Sequence, residues 1–341
     1  MEIPDPFQHP LTREQALALA RLPRERLPEL FAAASRARER VFGNKIHLCA
    51  IGNAKSGGCS EDCSFCSQSA HYETPVVQFP GEYPLLDKEE ILRRALRAEA
   101  QGAHGFCVVA AWRGLTAGSP ALRKAVEIVR EMKARTRLEI CLSLGIVDRE
   151  SARALAEAGG VRYNHNLETS RRFFPRVCTT HTYDERVDSI RHLKEAGMEV
   201  CSGGIIGMGE AVEDRIDLAL DLARLGVDEV PINFLDPRPG TPLGAQAVVK
   251  PLEALRTIAL YRLLLPRQTL IVAGGRERVL RDLQPMMFLA GANGTILGDY
   301  LTTRGRSTEE DLRMLKDLGL EPEEHAPLAE PPRIPPLPPR G

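Results

Sequence analysis

Three cysteines stand close together as Cys59-x3-Cys63-x2-Cys66 in the loop GNAKSGGCSEDCSFCSQS. Thiolates are the ligands of zinc sites and of iron–sulfur clusters, and small Gly and Ser neighbours let a short loop wrap one compact polynuclear site. A structural zinc site normally takes four protein ligands, commonly as two pairs. Here the next cysteine downstream is Cys107, and His71 is the only close histidine. Three ligands on a four-iron cluster leave one iron open to a small molecule, and that is the chemistry the spacing predicts. A zinc clip that recruits His71 is the alternative.

The chain has eight cysteines, at 49, 59, 63, 66, 107, 141, 178 and 201, and none beyond. The opening MEIPDPFQHP carries charges and prolines where a signal peptide would need an apolar segment, and no run approaches the ~18–20 apolar residues of a membrane span. The expectation is a cytoplasmic protein, and in a reducing compartment clustered cysteines are more often metal-binding or catalytic than disulfide-forming. A net charge of −1, with 43% hydrophobic and 27% charged residues, gives no electrostatic reason for a nucleic-acid or membrane partner.

These groups need a scaffold. Apolar runs at 46–51, 105–111, 137–144, 161–167, 198–206, 228–235, 269–274 and 294–299 read as strands. Between them lie amphipathic stretches such as DKEEILRRALRAEAQG and AVEDRIDLALDLARLG, opened by capping or acidic residues and often closed by Gly. Strands alternating with helices over about 250 residues predict a closed parallel (β/α)8 barrel of the TIM type. An open doubly wound sheet is the runner-up, without a GxGxxG turn after its first strand. The predicted organisation is an N-terminal helical extension over 1–44, the barrel over 45–320, and a Pro-rich tail over 321–341 that is too poor in apolar residues to pack and is expected to be disordered. The helical extension is interrupted near Leu27-Pro28.

Placed on this scaffold, the triplet lies beyond the end of the first strand, while Cys107, Cys141 and Cys201 sit inside strands two, three and five. They precede their strand ends by about three to five residues, or ~10–16 Å at ~3.3 Å per residue. Pointing inward, they would meet below the first cluster, where a barrel is normally filled by branched apolar side chains; each alone could equally be a small buried hydrophobe. Asn164, Asn166 and Glu168 alternate along strand four and so share one face, which is costly on an inward face unless the groups are partnered. His165 points the other way and reads as a core histidine. Cys49 reads as packing.

CSEDCSFC after the first strand resembles the cluster loop of radical S-adenosylmethionine (SAM) enzymes. More narrowly, GGCSEDCSFCSQSAHYET, AAW, YNHNLETS, EVCSGGIIGMGE, VPINFLDPRPGTPL and FLAGANGTILGDYLTT resemble the biotin synthase family, over about residues 10–320. The resemblance implies sulfur insertion into dethiobiotin: a flavodoxin- or ferredoxin-type donor reduces a 4Fe-4S cluster on Cys59, Cys63 and Cys66, SAM is cleaved to a 5′-deoxyadenosyl radical, and a second iron–sulfur cluster donates sulfur. It places Ala110, Ala111, Trp112, Asn166, Glu168, Arg186 and Ile205 at SAM, and Asn164, Asn166 and Asn233 at dethiobiotin. It puts the second cluster on Cys107, Cys141 and Cys201. Relatives add a strand-seven arginine, where this chain has Ile271; Arg276 belongs to the following GRE segment. Cys178 stands where the common form is apolar, so the paired loss and gain suggests Cys178 as the substitute ligand, on a cluster that is either 2Fe-2S or four-iron with an extra sulfide. Resupply by sulfide or an iron–sulfur assembly system, and a homodimer, are further implications. A sister radical SAM enzyme of the hydrogenase-maturation type, or a non-enzymatic metal-binding module, are the alternatives.

Overall fold

The computed structural model describes residues 2–74 and 81–324. Eight strands close into a barrel: β1 (Lys45–Lys55), β2 (Gly105–Ala110), β3 (Glu139–Ser143), β4 (Arg162–Asn164), β5 (Glu199–Cys201), β6 (Glu229–Phe234), β7 (Thr269–Val272) and β8 (Gly294–Ile296). Each pairs in parallel with the next, and β8 returns to β1 through His47, Leu48 and Cys49. The closed (β/α)8 barrel expected from the sequence is therefore present, with its helices outside.

Two strands are shorter than their apolar runs suggested. Regular pairing of β4 stops at Asn164 rather than 167. The run 198–206 breaks into β5 and a separate strand, Gly204–Ile206, that pairs with β6. At the break, a Cβ on Gly203 would sit 2.0 Å from the Pro231 carbonyl oxygen, so only glycine permits that approach.

The N-terminal extension forms α1 (Arg13–Ala20) and α2 (Leu27–Phe42), separated by the expected break. A capping box opens α1, with Thr12 Oγ1 accepting from Gln15 N and Gln15 Oε1 accepting from Thr12 N. Helices α3 (Lys88–Ala100), α4 (Pro120–Arg135), α5 (Arg149–Glu157), α6 (Tyr183–Glu195) and α7 (Val212–Leu225) cross over between strands. Asp87, Ser119, Asp148 and Thr182 cap four of them. Helix α8 (Pro251–Leu264) is buried along most of its length, because α2 packs on its outer side.

After β7, α9 (Arg276–Leu280) and α10 (Met286–Leu289) lead to β8, and α11 (Thr308–Asp317) follows it. Glu321–Pro322 then pairs with Lys45–Ile46 at the start of β1, and Glu323 meets His47 Nδ1 at 2.8 Å. The folded body thus runs past the boundary expected at 320, since residues 321–324 close the barrel's underside. The Pro-rich segment 325–341 lies outside the described residues.

Candidate active site

A cavity of about 390 Å³ opens at the C-terminal ends of the strands, and Cys59, Cys63 and Cys66 all line it. Their loop is fixed by its own backbone: Cys59 N donates to Gln68 O (3.0 Å), Ala70 N to Cys59 O (2.7 Å) and Ser64 N to Val177 O (2.8 Å). Gln68 Oε1 also accepts from Asn53 Nδ2 and Gly57 N. Burial raises Cys59 and pushes Cys66 up to about 11. Cys63 is raised by its hydrogen bond to Cys178 and by burial. Three thiols lining one cavity are a donor set that fits an iron–sulfur cluster.

Every other residue expected at SAM or substrate also lines this cavity. They are Ala110, Ala111, Trp112, Asn164, Asn166, Glu168, Arg186, Ile205 and Asn233. Trp112 is anchored by its indole N–H to Leu144 O (2.8 Å). Glu168, just past β4, has φ +69, a rare conformation for a residue with a Cβ. Its Oε2 is buried and has no hydrogen-bond partner among the described residues, and burial raises its carboxyl above the usual range. Strain and an orphaned acceptor together fit a ligand that donates hydrogen bonds here. Arg186, in the first turn of α6, lies 3.7 Å from Glu168 Oε1 and donates to Asn166 O (2.7 Å). It is an inward group rather than a solvated helix charge.

The asparagines are held by their surroundings. Asn164 Oδ1 accepts from Ser143 Oγ (3.3 Å), Asn166 Oδ1 from Gly203 N (3.1 Å), and Asn233 Oδ1 from Gly274 N (3.0 Å). His165 is buried, as expected of a core residue, and burial holds its imidazole neutral. It also lines the cavity.

Beneath the cavity lie the strand cysteines. Cys107 and Cys141 are register neighbours that share a hydrogen bond; that bond, burial and the thiol neighbours Cys141, Cys49 and Cys201 raise Cys107. Cys49, Cys107 and Cys141 pack with Ile271, Ala273 and Ile296 inside the barrel. Cys201 Sγ accepts from Asn164 Nδ2 (3.3 Å), and burial, Glu229 and Cys141 raise its thiol. Four buried thiols thus face one another, and that donor set fits a second cluster.

Cys178 is not among them. It lies beside the first triplet, with its Sγ 3.1 Å from Asp62 Oδ1 and 3.3 Å from His181 Nδ1, and within 4.8 Å of Cys63 Sγ. The hydrogen bond from Cys63 lowers it to about 4. Cys178, expected as the auxiliary ligand, thus lies apart from the strand cysteines, and Cys49, expected as packing, lies among them. The signal was available, because Cys49 is two residues before Ile51 and shares its inward face. Also missed was Glu61, whose Oε2 meets His181 Nδ1 at 2.5 Å while His181 Nε2 accepts from Arg186 Nε at 2.9 Å. Arg276 is structural: fully buried, it pairs with Asp311 on α11.

Comparison with known proteins agrees with this geometry. The Radical SAM superfamily model matches residues 54–223, and the Biotin and Thiamin Synthesis associated domain matches 231–321. The biotin synthase of Pelotomaculum thermopropionicum is 50% identical over 91% of this chain and 95% of its own length. That of Geobacter sulfurreducens is 51% identical over 85% and 87%. Among solved structures, a methylornithine synthase superposes with a TM-score of 0.81 at 23% identity, covering 94% of this chain and 96% of its own. An FeFe-hydrogenase maturase from Carboxydothermus hydrogenoformans gives 0.77 at 18%, covering 92% and 76%; at these identities both speak for the fold alone. With cavity, thiols and whole-length matches in agreement, the chain belongs to the biotin synthase family of radical SAM enzymes.

Proposed function

We propose a division of labour in which Cys59, Cys63 and Cys66 hold the SAM-binding cluster while Cys49, Cys107, Cys141 and Cys201 hold the sulfur-donating one. The reaction is that of biotin synthase, conversion of dethiobiotin to biotin. When bound, the cofactors supply the electron, the 5′-deoxyadenosyl radical and the sulfur atom, and the protein supplies position and exclusion of water. The observation that carries the reading is the stacking of two thiol sets, one at the rim of an asparagine-lined cavity and one below it.

Each side chain then has a defined task. Glu168 Oε2 is the open acceptor for the ribose hydroxyls, and Arg186 stands beside it to meet the cofactor carboxylate. The backbone at Ala110, Ala111 and Trp112 meets the cofactor's amino end, and Ile205 offers an apolar surface to adenine. The oxygens of Asn164, Asn166 and Asn233 are already engaged by the protein. Asn164 Nδ2 also donates to Cys201 Sγ and Asn233 Nδ2 to Gly204 O, so an N–H left over on Asn166 or Asn233 is the part that suits the carbonyl of a ureido ring. Phe65, Trp112, Phe234 and Leu235 wall the cavity and limit water. A flavodoxin- or ferredoxin-type reductant, resupply of sulfide and a homodimer follow from the family likeness.

Iron and sulfide counting on anaerobically reconstituted protein tests the ligand assignment. Cys49→Ser is expected to lose iron beyond the first four atoms, and Cys178→Ser to keep it. The reverse pattern overturns the assignment, and a wild-type protein that never holds more than four irons overturns the second cluster itself.

A further inference from the structure

Below the four deep thiols the barrel floor is charged. Arg162 on β4 is the register neighbour of Cys141, and Asn164, two residues on, is that of Cys201. The Arg162 side chain is 9% exposed, and its Nη atoms meet Glu139 (2.9 Å), Glu199 (2.5 Å) and Glu229 (3.0 Å). Glu229 is itself buried and pairs with Cys201 across the strands. His47, on the inward face below Cys49, has its Nε2 3.5 Å from Glu229 and its Nδ1 on Glu323, and His104 meets Glu139 at 3.3 Å.

One buried nitrogen on this floor, Arg162 Nε, has no hydrogen-bond partner among the described residues, while His47 Nε2 has only the distant Glu229 carboxylate. Orphaned buried N–H groups are rare and call for an acceptor. The bland alternative is that Arg162 only neutralises the acids around it. Those acids engage its two terminal nitrogens, however, and leave Nε uncommitted next to a strand that carries a thiol. A cluster held by four thiolates is anionic, and burying it beside Glu229 is costly without a nearby cation.

We propose that Arg162 is a positioning residue for the sulfur-donating cluster, its guanidinium fixed by Glu139, Glu199 and Glu229 so that its charge and its free N–H lie under the thiolate layer. The charge favours the reduced, more negative cluster and so raises its potential. Glu229 acts in the opposite sense. The inference rests on the reading of Cys49, Cys107, Cys141 and Cys201 as that cluster's holders.

Potentiometric titration of the anaerobic holoenzyme, followed at the second cluster's EPR and Mössbauer signals, tests it. Arg162→Gln is expected to lower the potential enough to change the oxidised-to-reduced ratio at a fixed potential at least tenfold, which is 59 mV for one electron. Arg162→Lys, which keeps the charge, is expected to recover most of that shift. Glu229→Gln is expected to move the potential upward, a change of sign that general loosening of the fold would not produce. An unchanged ratio in Arg162→Gln with its second-cluster iron intact overturns the proposal, as do shifts of the same sign in Arg162→Gln and Glu229→Gln. Where Arg162→Gln fails to hold the cluster, the direction of the Glu229→Gln shift decides. Absence of second-cluster iron from the wild-type protein overturns the ligand reading instead.

Discussion

Glu168 combines three properties that seldom coincide: a positive φ, a buried oxygen without a partner and a carboxyl raised by burial. A conformation of that kind costs of order 1–3 kcal/mol and persists where the surroundings enforce it. If its oxygen receives the ribose hydroxyls, Glu168→Gln is expected to weaken SAM binding about tenfold, or ~1.4 kcal/mol, with little change in thermal midpoint. The ionised form is the acceptor, so binding is complete above the raised pKa and is lost as pH falls through it, from a higher pH than an ordinary carboxylate near 4.5 would allow. The glutamine variant is expected to lack that acidic limb. Equal SAM affinity and equal pH profiles in the two proteins, measured by equilibrium binding, would remove Glu168 from the site. Its alternation with Asn164 and Asn166 was legible in the sequence; its strain was not, because the end of β4 is set by pairing with the Gly203 segment. Cys49 was passed over for another reason. A lone cysteine in a strand is a hydrophobe by default, and the stagger between barrel strands decides which inward residues share a level. The place of Cys178 was not legible, because local sequence cannot say that the chain after β4 folds back over the triplet loop.

At the scale of elements, the eight strands and the crossover helices from α3 to α7 could be read directly, since each barrel strand is a short apolar run and each of these helices shows one apolar face. Helix α8 has no such face because the barrel lies on one side and α2 on the other, leaving it apolar nearly all round. The N-terminal extension is therefore a second layer over the barrel. Leu30 of α2 is fully buried there. Leu30→Ala is expected to cost about 2–5 kcal/mol in chemical denaturation while leaving iron content and SAM affinity unchanged in the folded protein. A loss near zero would mean that α2 rests on the barrel without stabilising it. The break between β5 and Gly204–Ile206 follows from Gly203, whose approach to Pro231 no pattern of hydrophobicity encodes.

The whole molecule is a barrel with an open top and a covered underside. Ligands enter among the loops that hold the triplet, as is usual for this architecture, while the lower end is closed by Glu321–Pro322 against β1 and by Glu323 against His47. That closure comes from the last described residues and contributes nothing to the cavity; Glu323 lies against His47, two residues below Cys49 in β1. Its consequence is endurance in air. A chain ending at Leu320 keeps all eight strands, but oxygen would reach its sulfur-donating cluster from below. On exposure to air, the visible absorption of that cluster is expected to bleach several-fold faster in the shortened chain than in the full one, with the upper cluster decaying at the same rate in both. Equal lifetimes would make the lower seam a fastening and not a shield.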